Sequence, residues 1–119
     1  MLRQTDCRNN FIEKDILLMI TVIVTIICKP DQRENFLKEF RAIVPEVLKE
    51  DGCIEYGPTI DTSTGLDNQN TDGNRVTIVE KWTSLPSLNA HLVAPHMEAY
   101  RPKVQDFIES AELRILESA

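Results

Sequence analysis

The sequence has little of what staples or punctuates small proteins: among 119 residues there are three cysteines, four glycines, one tryptophan and two histidines. Cys7, Cys28 and Cys53 are odd in number and nowhere spaced C-x-x-C. That speaks against a disulfide framework and against a thiolate metal site, and leads us to expect reduced, mostly buried thiols in a cytoplasmic protein. No lysine or arginine cluster offsets the net charge of −6. Nucleic acids and anionic membrane surfaces both call for a basic patch, so neither is an expected partner. The longest apolar run, "ILLMITVIVTIIC" from Ile16 to Cys28, is too short to span a bilayer, and no membrane insertion is expected. Acidic Asp6, Glu13 and Asp15 ahead of it, with no small-residue cleavage site behind it, argue against a secretory leader. Its Ile, Val and Thr content suits a buried strand instead.

What is present is an ordinary globular composition, 42% hydrophobic and 27% charged, at a length suited to one domain with a modest core. Residues 1–18 are mixed and polar without a clear period, and read as an N-terminal extension to a single domain over 19–119. Met19–Cys28 predicts a central strand, apolar on both faces. "KPDQRENFLKEFRAIVPEVLKEDG" predicts a helix that opens at Pro30 and Asp31 and stops at Gly52. Phe36, Phe40, Ile43, Val44, Val47 and Leu48 form its apolar stripe, and Pro45 should bend it.

"CIEYGPTID" is the second strand, with Gly57-Pro58 marking a bulge or an edge. The polar stretch Thr62–Asn74 is a loop, long for a hairpin. "RVTIVEKWT" is the third strand, with Val76, Ile78, Glu80 and Trp82 alternating against Thr77, Val79 and Lys81. Ser84 should cap a helix carrying Leu85, Leu88 and Leu92 on one face. Pro95 interrupts that helix, and "HMEAYRPKVQDFI" reads as short turns broken again at Pro102. "SAELRILES" is the last strand, with Leu113 and Ile115 on one side and Arg114 on the other. The order β-α-β-β-α-β is the α+β, ferredoxin-like split βαβ sandwich. Two helices cover one face of its sheet. The other face keeps apolar residues, including the second face of strand one and Trp82, so a homodimer packed sheet against sheet is expected.

Three stretches carry a resemblance: "ITVIVTIICKPDQRENFLKEF", "IVPEVLKEDGCIEYGPTID" and "IVEKWTSLPSLNAHLVAPHMEAYRPKV". Together they resemble the antibiotic biosynthesis monooxygenase family, in its small bacterial quinol monooxygenase branch, over Met19 to about Leu116. The strings E-x-W-x-S…A-H-L…P-H-M-x-A-Y and VPxVLKExGCxxY are the most specific parts. The resemblance implies a dimeric α+β barrel that oxidises a quinol or related electron-rich phenol with O2, without metal, flavin or haem. The leading extension and the polar Thr62–Asn74 loop depart from the typical pattern, and the residue set of haem-degrading members is not matched.

Such chemistry needs few protein groups. A hydroquinone is a phenol with a pKa of about 10, and once deprotonated it can pass an electron to O2. The site must take a proton, hold a flat ring and exclude water. His91 and His96 are the acid/base candidates, since imidazole suits proton transfer near neutral pH. Each could instead be a satisfied helix histidine, and the sequence does not say which takes the proton. Trp82, Tyr56, Met97 and Tyr100 are the candidate ring contacts, each also a plausible core residue. Glu80 shares a strand face with Trp82, where it could orient a histidine or pair with a cation. A metal pair is not expected: on one unbroken helix, residues five apart point about 140° apart, whereas zinc-binding helical histidines sit four apart, and a third ligand would have to be a carboxylate such as Glu98. Two other functions compete: an isomerase of a small phosphorylated signalling molecule, using Arg75, Lys81, Arg101 or Lys103, and a non-catalytic ligand-binding or stress module.

Overall fold

The computed structural model describes residues 19–119; the expected extension at 1–18 lies outside the described residues. Strand β1 (Ile20–Cys28) is followed by helix α1 (Arg33–Leu48), then β2 (Cys53–Thr59) and β3 (Arg75–Trp82). Helices α2 (Leu85–Leu92) and α3 (Pro95–Val104), a short 3-10 turn at Gln105–Phe107, and β4 (Ile108–Glu117) complete the domain. The four strands form one antiparallel sheet in the order β2-β3-β1-β4. This is the expected α+β ferredoxin-like fold, with β1 and β3 at its centre.

Register explains the core. Val22 lies opposite Glu80, Val24 opposite Ile78 and Ile26 opposite Val76, so these side chains share one sheet face. Phe36, Leu37, Phe40 and Val47 of α1, Leu88 of α2, and Met97, Tyr100 and Val104 of α3 pack into the same buried cluster. At roughly 1.5–3 kcal/mol for each large apolar side chain removed from water, this layer drives folding. The opposite face presents Thr21, Ile23, Thr25, Ile27, Val79 and, in the same register, Leu116. Trp82 was expected there, yet it is fully buried on the helix side. Strand alternation with Glu80 and Ile78 puts it there, and sequence pattern alone does not say which face the helices take.

Several local expectations shift for identifiable reasons. Helix α1 starts at Arg33, because Asp31 takes a left-handed φ of 66° and ends any helical run through Pro30. Pro45 stays inside a single helix, as expected, and so does Pro102 in α3, where a break was expected. Of the α2 leucines only Leu88 is buried; Leu85 and Leu92 are exposed, and the buried face is Leu88 with His91. Strand β2 is indeed an edge strand, but Gly57 and Pro58 keep register with Val79 and Ile78, and the irregularity falls at Ile54.

Ser84 caps α2 as its pattern predicts, its hydroxyl accepting from the Ser87 N–H. The turn between α1 and β2 is tighter. Gly52 has φ 86°, and a Cβ placed there would lie 2.2 Å from Ser87 Oγ and 2.8 Å from Thr83 Oγ1. Its carbonyl accepts from the Thr83 N–H at 2.8 Å, which ties this turn to the start of α2. Gly52→Ala therefore meets both a disfavoured φ and a clash. We expect it to lower stability by at least about 2 kcal/mol, read as a lower midpoint in urea denaturation with an unchanged slope.

Candidate active site

The turn pinned by Gly52 positions Glu50. Its N–H donates to Val47 O at 2.9 Å, and its carbonyl accepts from the Cys53 N–H at 3.2 Å. Two further segments converge on its carboxylate. His91, in the last turn of α2, places Nδ1 at 2.9 Å from Glu50 Oε2 and 3.2 Å from Oε1. His96, in the first turn of α3, places Nε2 at 2.5 Å from the same Oε2. The spacing argument that set the two imidazoles apart assumed one continuous helix. Here the chain leaves α2 at Val93 and re-enters a helix at Pro95, with Ala94 extended between them (φ −64°, ψ 142°). That corner lets both rings face one carboxylate.

His91 is 1% exposed. Its ring lies 4.7 Å from Trp82 and 5.3 Å from Tyr56, centroid to centroid. With Nδ1 donating to Glu50, Nε2 is the ring nitrogen free to accept a proton, and His91 lines a cavity of about 380 Å³ between the sheet and the helices. The size is that of a small-ligand pocket. The walls are mainly apolar, from Phe36, Phe40, Tyr56, Met97 and Tyr100 among others, with Glu80, His91, Arg101 and Gln105 the polar members. Burial lowers the His91 pKa below the usual imidazole range, Glu50 opposes that shift, and His96 and Arg101 add to the lowering. Burial thus favours the uncharged ring.

Glu80 also lines the cavity and is 5% exposed. It does not orient a histidine; its Oε1 accepts from Trp82 Nε1–H at 2.9 Å. Burial pushes its carboxyl up to about 7, with the Trp82 hydrogen bond opposing the shift and Glu50 adding to it. Burial likewise raises the Tyr56 and Tyr100 phenols, which stay protonated.

The candidates thus separate by position. Tyr56, Met97, Tyr100, Glu80 and His91 line the cavity. Trp82 packs behind His91 instead of forming the wall, and His96 sits on the far side of Glu50, partly exposed. Glu50 was missed as a site residue. It stood within the VPxVLKExGCxxY string, but forty-one residues separate it from His91, and no local pattern reveals such a contact. Of the cations considered for phosphate, only Arg101 reaches the cavity, and its Nη2 donates to Leu92 O at 2.6 Å. Arg75 is paired with Asp61 at 2.7 Å.

Comparison with known proteins agrees with this architecture. A family model described as antibiotic biosynthesis monooxygenase matches residues 19–103. The chain is 40% identical over 101 residues to the Escherichia coli K12 protein named Probable quinol monooxygenase YgiN, covering 83% of this chain and 97% of that one. Among solved structures, a conserved protein from Methanosarcina mazei Go1 superposes with a TM-score of 0.78 at 23% identity, covering 90% of this chain and 99% of that one. A Pseudomonas aeruginosa protein gives 0.73 at 21%, covering 87% and 97%. At these identities the structures speak for the fold alone.

Glu80 offers a test of the cavity's electrostatics. Between its ordinary value of 4.5 and about 7, the folded protein holds a proton that the unfolded chain gives up, so this group's contribution to stability falls as pH rises through that window. Glu80→Gln removes the effect. Its stability relative to wild type should rise by up to about 3 kcal/mol between pH 4.5 and 8 and level off above pH 7, measured by denaturant titrations across pH; a flat difference would contradict the raised pKa.

Proposed function

Because the chain belongs to the antibiotic biosynthesis monooxygenase family, we propose that it oxidises a quinol or related electron-rich phenol with O2, His91 serving as the base. The observation that carries this reading is a buried imidazole, fixed at Nδ1 by Glu50, on the wall of an apolar cavity of about 380 Å³. A flat aromatic ring suits the Phe40, Tyr56 and Tyr100 walls, and the name borne by the 40% identical relative points to the same substrate class.

In this mechanism His91 Nε2 accepts a phenolic proton, Glu50 stabilises the resulting imidazolium through Nδ1–H, and the phenolate transfers an electron to O2. Superoxide and the semiquinone then react within a site that excludes water. If the radicals combine, the ring gains one oxygen atom and the other leaves as water. If a second electron and the two protons follow instead, quinone and hydrogen peroxide form. Insertion takes four electrons from the substrate and leaves an oxygenated quinone, whereas dehydrogenation takes two; neither needs an external reductant. Glu80, close to half-protonated at neutral pH, is suited to hold the second hydroxyl. No helix among the described residues is long and apolar enough to cross a membrane.

The phosphate-dependent isomerase reading has weaker support, since Arg101 is the only arginine or lysine on the cavity wall among the described residues. The reading includes a homodimer. Leu113 and Ile115 of edge strand β4 are exposed and border the cavity, and a second copy would cover them.

Oxygen consumption with a reduced naphthoquinol tests the activity. His91→Ala should lower the catalysed rate by about 10²–10⁴-fold, and Glu50→Gln should fall between it and wild type. Product mass distinguishes oxygen insertion from simple dehydrogenation. Wild-type uptake equal to the buffer blank across several quinols would leave a ligand-binding module instead. Light scattering should give twice the chain mass; a monomer would remove the proposed cover over β4.

A further inference from the structure

Behind the cavity wall, the turn after α1 and the corner between α2 and α3 bring together three side chains that are common metal ligands. One ligand atom from each of Glu50, His91 and His96 lies within 4.8 Å of the other two. We propose that these residues form a binding site for a divalent transition-metal cation of the zinc class, and that filling it switches off the base at His91. The switching half rests on the role given to His91 above; the binding half does not.

The donor set comes first. Two imidazole nitrogens and one carboxylate oxygen suit zinc and its first-row neighbours, whereas magnesium and calcium want all-oxygen shells. Geometry agrees. A cation about 2.1 Å from each donor holds neighbouring donors roughly 3 Å or a little more apart, and His91 Nδ1 already lies 2.9 Å from Glu50 Oε2. His96 Nε2, at 2.5 Å from that oxygen, is too close, so the carboxylate must draw back by roughly half an ångström or more. Glu50 follows the end of α1, where the backbone is held by the Gly52 turn, so rotation about its side-chain bonds supplies this movement. The site also has an entrance. Side-chain exposure rises from 2% at His91 through 14% at Glu50 to 28% at His96, so an ion can arrive from the His96 side and keep water in its open positions. The nearby Arg101 guanidinium is held away by its hydrogen bond to Leu92 O. Once ligated, both imidazoles are neutral and the carboxylate is ionised, so the set carries one negative charge against the two positive charges of the ion.

The consequence for His91 follows from imidazole chemistry. A neutral ring that ligates through Nδ1 carries its one hydrogen on Nε2. Nε2, the nitrogen that Glu50 does not hold, then becomes a donor, and a substrate hydroxyl has no base to receive its proton. The metal would thus act from behind the cavity, without entering it or touching the substrate.

The test uses the full chain, stripped with EDTA, in calorimetry and thermal melts with zinc chloride and, in parallel, magnesium chloride. We expect one zinc per chain, a rise in Tm that EDTA reverses, and no response to magnesium. Glu50→Gln and His96→Gln, with unchanged circular dichroism, should each weaken zinc binding by at least about tenfold. A Cys7→Ser/Cys53→Ser double variant should keep it. Absence of saturable one-to-one binding, full binding in both ligand variants, or its loss with the cysteines would overturn the site. Oxygen uptake is read separately. Zinc bound as stated with turnover unchanged overturns the switch. Absence of turnover with any quinol overturns the function proposed above, while calorimetry still decides the site.

Discussion

Glu50 holds in one place two imidazoles that follow it in the chain by forty-one and forty-six residues. A mostly buried carboxylate without partners is costly, by several kcal/mol, so the protein has to keep both rings against it. Their positions in turn depend on ordinary features: a glycine turn that only a residue without Cβ can make, a serine cap that starts α2, and a corner at Ala94 that redirects the chain before Pro95. None of these features is chemical in itself. Together they decide which nitrogen of His91 meets Glu50.

The cavity's two acid/base groups are pushed in opposite directions by the same cause. Burial lowers His91 and raises Glu80, in each case favouring the uncharged form. Divergent environments of this kind are how a protein assigns roles to neighbouring titratable groups. The mainly apolar wall between these groups suits a flat aromatic guest.

Much of the fold was legible because it rests on local periodicity. The period-two pattern of Arg75–Trp82 and the apolar run ending at Cys28 gave two central strands, and the α1 stripe gave the helix over them. Single residues were misread where two rules compete. Pro102 stays in a helix because the packing of Met97, Tyr100 and Val104 outweighs a lost backbone hydrogen bond. Leu85 and Leu92 share a stripe with Leu88, but the side of α2 that meets the sheet is the one bearing His91. The site was half legible: residue types suited to the chemistry stand out in the string from Trp82 to Tyr100, whereas Glu50 joins them only through tertiary contact.

One consequence of the packing concerns how this protein can be observed. Trp82 is the only tryptophan in the chain. It is fully buried, its indole N–H is bonded to Glu80, and its ring lies 4.7 Å from that of His91. An indole in such a place gives one emission band with no contribution from solvent-exposed copies. Imidazolium quenches indole fluorescence far more than neutral imidazole does. The two titratable groups on the cavity wall, His91 and Glu80, are thus both in contact with one natural fluorophore, and the charge state of the site is written into the protein's own light.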